Sequence, residues 1–222
     1  MKHIRSLIAV SILVIALSVN TISLNSQPHV KEWIPDKLSS NVFHLALQAL
    51  EHAKKRKLQY GKVDDNILTI IDYSQPSIER RLWVLDLKHK KTLFYELVAH
   101  GKYSGDNLTT SFSNQRDSKK SSFGVFLTGT TYYGDNDYSL KLYGLEQNIN
   151  DNAERRKLVI HGADYVSQES IKALGRLGRS HGCPAVKKSI TTQLINTLKN
   201  NKLIFAYYPD PHWLSTSIYL DH

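Results

Sequence analysis

A single cysteine, Cys183, stands in the 222-residue chain, so no internal disulfide can form. There is no second cysteine pair and no His-Glu-x-x-His segment, which removes the common zinc frameworks. Long apolar runs are equally scarce. The one from Leu7 to Val19 spans thirteen residues with two serines inside it, and a bilayer crossing needs about 20. With Lys2, His3 and Arg5 ahead of it, this run reads as a secretory signal over residues 1–26, an uncleaved anchor being the alternative. No cysteine stands at the end of that run to carry a lipid. Acidic residues are outnumbered, 20 against 29 basic, and the formal charge of +9 favours anionic surroundings. For an exported chain these are wall polymers, lipid head groups or acidic peptide stems, not nucleic acid. Much of the excess sits in Lys54-Lys55-Arg56-Lys57 and Lys88-His89-Lys90-Lys91, runs that read as solvated surface. Internal repeats and long low-complexity tracts are also missing. What remains, 41% hydrophobic and 22% charged, is a globular composition with room for one sizeable core.

Residues 27–62 read as a linker followed by a helix. Gln27 to Asp36 carries two prolines and no periodicity, after which Ser39 or Ser40 can cap a helix running to about Lys57. Val42, Phe43, Ala46, Leu47, Ala49, Leu50 and Ala53 give that helix a broad apolar stripe. From residue 63 to 210 the pattern changes to strand-length apolar runs between turn residues: Ile67 to Tyr73, Leu82 to Leu87, Thr92 to Ala99, Gly124 to Thr131, Ser139 to Leu145, Leu158 to His161 and Leu203 to Tyr208. Two helical pieces interrupt them, Gln168 to Leu174 with Ser167 as cap, and Ser189 to Leu198. The fold class is mainly β with short helices, preceded by the N-terminal helix, and residues 211–222 form a C-terminal tail.

The chemistry gathers near the end. A strand delivers His161-Gly162, and a glycine-rich return, Gly175-Arg176-Leu177-Gly178-Arg179, leads to Ser180-His181-Gly182-Cys183-Pro184. A free thiol has a pKa of about 8.5 and attacks only as thiolate, so a nearby imidazole that takes its proton activates it. Glycine beside the sulfur allows backbone N–H groups to approach and face an oxyanion. Pro184 fits the first position of a helical turn, whose free N–H groups would lower the thiol pKa. The guanidinium of Arg179 suits either a bidentate grip on a substrate carboxylate or a structural ion pair.

These residues resemble the murein L,D-transpeptidase catalytic domains of the YkuD type, whose signature is a His-Gly pair followed by a Ser/Thr-His-Gly-Cys run. Most of the chain takes part. Similar segments are Ile70-Ile71-Asp72-Tyr73-Ser74, Val98-Ala99-His100-Gly101, Ser111-Phe112-Ser113-Asn114, Ser139 to Leu145, Ile160 to Tyr165 and Gly178 to Val186. The resemblance implies a β-sandwich domain acting on peptidoglycan stem peptides, without a cofactor or metal. By analogy Cys183 attacks the carbonyl of the third, diamino-acid residue and displaces D-alanine, and an amine then resolves the thioester. That amine belongs to a neighbouring stem or, alternatively, to an envelope protein. His161 is the implied base, oriented by a backbone carbonyl near Gly162, and the N–H groups of Gly182 and Cys183 are the implied oxyanion donors. Two positions depart from relatives: Ala185 stands where many carry asparagine, and His181 where the closer branch carries glutamine. His181 is therefore assigned to orientation or oxyanion support, with Ser180 as a hydrogen-bonding partner.

Alternatives accompany each piece. His100-Gly101 resembles His161-Gly162 locally and reads as structural or as a rival base. His161, His181 and Cys183 together would make a zinc ligand set, a reading disfavoured by their tight spacing. Tyr132, Tyr133 and Phe112 either line a groove, Tyr132 being the expected substrate contact together with Arg179 and Gly162, or serve packing. A water-resolved thioester, giving a carboxypeptidase or hydrolase, and a non-catalytic wall-binding module are the competing functions. The expected location is the periplasm or cell envelope, with membrane contact only through an uncleaved N-terminal segment.

Overall fold

The structure is a computed structural model that describes residues 33–222, so the expected signal segment lies outside the described residues. No helix among the described residues is long and apolar enough to cross a membrane. The first helix, α1 (Ser40–Lys55), starts after Ser39 and ends in His52, Lys54 and Lys55, cations that complement its C-terminal dipole. It buries Val42, Phe43, Ala46, Ala49, Leu50 and Ala53. The three larger side chains among these contribute ~1.5–3 kcal/mol each when fully buried.

Among the described residues nine strands form: β1 (Asp64–Asp72), β2 (Leu82–Asp86), β3 (Lys91–Glu96), β4 (Val98–Ala99), β5 (Gly124–Gly134), β6 (Asp137–Gly144), β7 (Val159–Ala163), β8 (Ala185–Lys187) and β9 (Lys202–Tyr207). They form one sheet in the order β3-β2-β1-β9-β5-β6-β7-β8-β4. Central strands are buried on both faces, and alternate residues go to different cores. In β1 Leu68 and Ile70 join Trp83 and Leu85 of β2 and Leu203 and Phe205 of β9 beneath α1. Ile71, Leu82, Val84, Ile204 and Ala206 face the opposite way, into a second core shared with Leu140, Ile160 and Val186. Strands from both ends of the sheet thus meet in one core, so the sheet curls over it into two layers.

The expected strand from Thr92 to Ala99 is two strands. β3 pairs with β2 and β4 with β8, at opposite edges of the sheet. Only Leu97 separates them, so this one apolar run joins the two edges and closes the sheet on itself. β8 has no counterpart in the sequence reading, because three residues are too few to show a period. Helix α2 (Gln168–Leu174) is capped by Ser167, whose Oγ accepts from the Ser170 N–H at 3.2 Å, and stops at Gly175 in the left-handed region. Helix α3 (Thr191–Leu198), entered through a 3₁₀ turn at Lys188–Ile190, covers the second core with Leu194, Ile195 and Leu198.

The C-terminal residues carry a further helix, α4 (Pro211–Thr216), started by Asp210, which caps the Trp213 N–H at 2.8 Å. Trp213 is fully buried in the first core, and its Nε1–H donates to Glu146 Oε1 at 2.9 Å. Glu146 also accepts from Val125 N–H and Ser217 Oγ, so this buried carboxylate latches the chain end to the sheet.

Candidate active site

β7 presents His161 beside β8. The two strands run parallel, with His161 paired to Ala185, two residues or about 7 Å of extended chain beyond Cys183. His161 is buried, and its Nδ1 lies 3.0 Å from the Gly162 carbonyl oxygen. A carbonyl only accepts, so Nδ1 carries the proton and Nε2 keeps its lone pair. Burial lowers the pKa of this imidazole, with the Gly162 bond opposing the shift, so the ring is a neutral base at pH 7. Gly162 itself is pressed against α3: a Cβ there would meet Thr191 Oγ1 at 2.2 Å. It brings a carbonyl to His161 and leaves room for Thr191.

The turn from Ser180 to Cys183 is built around one buried hydroxyl. Ser180 Oγ accepts from the Gly182 N–H at 3.0 Å and donates to the Cys183 carbonyl at 2.6 Å. This corrects the expected pair of oxyanion donors. The Gly182 N–H is occupied by Ser180, which leaves the Cys183 N–H as the amide of the two open to an oxyanion. Gly182 is required for another reason: its φ is +125°, and a Cβ would strike the Lys120 carbonyl oxygen at 2.8 Å. Ser180 also bridges to the end of β4, its N–H donating to His100 O and its carbonyl accepting from Lys102 N. Ser121 completes the junction, its Oγ accepting from Gly101 N–H at 2.9 Å and donating to Gly182 O at 3.1 Å.

Pro184 does not begin a helical turn. β8 starts at the next residue, so no helix dipole acts on the thiol. Cys183 is half-buried, and its Sγ donates to the Lys157 carbonyl at 3.8 Å; this, not the His161 ring, is its hydrogen bond among the described residues. Burial pushes the thiol pKa up. The Val159 N–H, the Arg156 guanidinium and the cysteine's own N–H pull it the other way. Tyr132 and Tyr165 lie within the field of the sulfur. Burial foremost, with Cys183 adding to it, raises both phenols, Tyr165 to about 12, so they remain neutral donors.

Lys157, Leu158 and Val159, which touch or flank the thiol's partners, also form one wall of a cavity of about 490 Å³. Tyr132, Asp135, Lys141 and Glu154 line the rest, so the groove offers an aromatic surface and charges of both signs. Tyr132 is 37% exposed there, with Lys141 Nζ 5.9 Å above its ring.

Other expected site residues stand apart. His181 is exposed and makes no hydrogen bond among the described residues, so nothing ties it to an oxyanion. Arg179 is occupied by the Gly105 carbonyl at 2.9 Å and by Asp106 at 3.5 Å, the ion-pair alternative. His100 is buried, its Nδ1 accepting from Arg81 Nη2 at 2.8 Å, and burial next to that cation lowers its pKa to about 4. It is a structural partner of a fully buried arginine, whose ring contact is Tyr73 at 5.2 Å. Phe112 packs among Tyr73, Phe123 and Tyr208, whereas Tyr133 is largely exposed beside Tyr138. Among the described residues no three metal-ligating side chains gather closely enough to hold an ion.

Sequence reasoning missed Arg156, Ser121 and the Lys157 carbonyl. The serine-dense stretch Ser118 to Ser122 was a visible signal for the first two, since small hydroxyl residues in a loop are there to bond backbone.

Comparison with known proteins places these features in context. The L,D-transpeptidase catalytic domain matches residues 35–207. No curated protein matches the chain in sequence. Among solved structures, an L,D-transpeptidase from Mycobacterium smegmatis is similar at 12% identity and a TM-score of 0.40, over 64% of this chain and 59% of that one. An L,D-transpeptidase from Stackebrandtia nassauensis gives 14% identity and 0.40 over 75% and 68% of the two chains. A helical cell shape determining protein from Campylobacter jejuni gives 14% and 0.40 over 73% and 54%. The matched part of the chain therefore spans about three fifths of the M. smegmatis structure.

Proposed function

Because this chain belongs to the family of L,D-transpeptidase catalytic domains, we propose that it is a cysteine-dependent peptidoglycan L,D-transpeptidase of the cell envelope. Sγ of Cys183 leaves the Lys157 carbonyl by rotation about χ1 and gives its proton to His161 Nε2. The thiolate attacks the carbonyl carbon of the diamino-acid residue in a tetrapeptide stem. A C–S bond forms, and the oxyanion faces the Cys183 N–H, a donor of a kind worth about 2.7–4 kcal/mol of barrier. Collapse breaks the C–N bond, and the imidazolium protonates the departing D-alanine amine. An acceptor amine, its proton taken by His161, then attacks the thioester and releases the thiolate. Tyr132 and the charged walls of the groove bind the stem. The chain reaches its substrate by export on residues 1–26.

The observation that carries this reading is the bond from His161 Nδ1 to the Gly162 carbonyl, which leaves Nε2 free to accept on the strand next to the cysteine turn. The test is to incubate the purified full chain with tetrapeptide muropeptides and weigh the products. Dimers lacking one D-alanine are expected. Tripeptides alone would mean that water is the acceptor, and an unchanged substrate that matches Cys183→Ala would overturn catalysis altogether. A stoichiometric carbapenem adduct is expected by intact mass, lost in Cys183→Ala, strongly slowed in His161→Ala and little affected in His181→Gln.

A further inference from the structure

Arg156 lies outside the segments that carry the family resemblance, yet its guanidinium gathers the 113–122 loop beside the Gly182 turn. It leaves the turn before β7 half-buried. Nη1 donates to the Ser113 carbonyl and to Ser122 Oγ. Nη2 donates to Ser118 Oγ at 3.2 Å and to the Lys120 carbonyl. All four acceptors are neutral, and among the described residues no carboxylate lies within ion-pair distance of this guanidinium. The cation is therefore uncompensated where it sits. Its position is close to the nucleophile: a Cβ on Gly182 would lie 3.4 Å from Arg156 Nη2, and Gly182 adjoins Cys183.

We propose that Arg156 is a positioning residue for the nucleophile, holding the 113–122 loop against the Gly182 turn while supplying the fixed positive charge that stabilises the Cys183 thiolate. The inference rests on the nucleophilic role proposed for Cys183. A buried cation with only neutral partners gains when an anion forms nearby, and the thiolate is that anion. The other titratable groups that feel the sulfur are Tyr73, Tyr132 and Tyr165, whose phenols are all raised and neutral; His161, on the adjoining strand, is neutral until it takes the thiol proton. None of them offers a permanent charge. Arg156 thus fills the place left by the missing helix terminus, and the loop it grips is the one whose Lys120 carbonyl faces Gly182.

The test uses the fact that Cys183 is the only thiol in the chain, so alkylation by iodoacetamide reports on it alone. The rate is measured against pH for wild type, Arg156→Gln and Arg156→Lys. In Arg156→Gln the midpoint should move up by about one pH unit, with a ~10-fold slower rate at pH 7.5 and convergence on wild type at high pH. Arg156→Lys keeps the charge but cannot reach all four acceptors, and should retain the wild-type midpoint. A purely structural role moves melting temperature and leaves the midpoints together. Superimposed profiles for Arg156→Gln and wild type would overturn the proposal, and so would an Arg156→Lys midpoint as high as that of Arg156→Gln. If Arg156→Gln fails to fold by circular dichroism, Arg156→Lys alone decides, because a rise of its midpoint by one unit removes the charge argument. Alkylation needs no peptidoglycan, so a chain that shows the shift but forms no product from muropeptides separates this inference from the proposed activity.

Discussion

Replacing Ser180 with alanine removes one oxygen and disconnects two groups. The Gly182 N–H, buried beneath the turn, loses its acceptor, and the Cys183 carbonyl loses its donor. An orphaned buried amide costs about 1–3 kcal/mol, and loss of the second bond adds about 0.5–1.5. Alanine fills the same space otherwise, so cavity terms are small and the total is about 1.5–4.5 kcal/mol. Urea unfolding of Ser180→Ala against wild type measures it, at unchanged m-value if the compactness of both states is preserved. The same oxygen holds the backbone that aims Sγ, so alkylation of Cys183 should change as well, in the direction of a more accessible thiol. A variant whose stability stays within about 0.5 kcal/mol of wild type, the range of an uninvolved surface position, with an unaltered alkylation rate, would refute the idea that Ser180 builds the turn.

Two further predictions concern neighbouring contacts. Gly162→Ala drives a methyl into Thr191 Oγ1 and should cost about 1–3 kcal/mol by overpacking, while the double variant with Thr191→Ala should recover part of that loss; an additive double variant in urea unfolding would show that the two positions do not meet. His100 titrates near 6.5 when unfolded but near 4 when folded, so protonation favours the unfolded chain across that interval. The stability its neutral ring contributes is complete above about pH 6.5 and declines by about 3 kcal/mol as the pH falls to 4. An NMR titration of the His100 ring tests this directly, and a midpoint at 6.5 would contradict its burial beside Arg81.

Much of this was legible in the sequence where local pattern and tertiary demand coincide. α1, α2 and α3 were found by periodicity and caps, and most strands by alternation or by short apolar runs. β8 escaped because three residues carry no period, and the run through Leu97 looked like one strand because a sequence cannot say that its halves pair at different edges. The His161-Gly162 and Ser180 to Cys183 segments were visible as residue types. Their wiring was not: Ser180 Oγ, two residues away, takes the Gly182 N–H, and Asp106, in a loop some 70 residues earlier, competes for Arg179. Arg156 was not singled out, since the loop that supplies its partners lies about 40 residues earlier in the chain.

The way the sheet closes explains why these loops meet at the cysteine. β3 and β4 belong to opposite edges and share one chain segment, so the end of β4 is fixed wherever the sheet seals. Immediately past that end, Gly101 runs beside Ser180, and a Cβ on Gly101 would lie 3.0 Å from Gly182 Cα, with Ser121 bonded to both glycines. The turn that carries Cys183 is thus fastened to the seam of the fold. A glycine is needed on both sides because two backbones approach within van der Waals contact, and the polar groups they bring together are satisfied by serine hydroxyls in place of a strand ladder. Such a junction has little apolar burial of its own, so its rigidity depends on the hydrogen bonds of Ser180, Ser121 and Arg156 acting together. It follows that damage to any one of these three should loosen the thiol before it unfolds the two cores, because the cores are held by packing that the junction does not share.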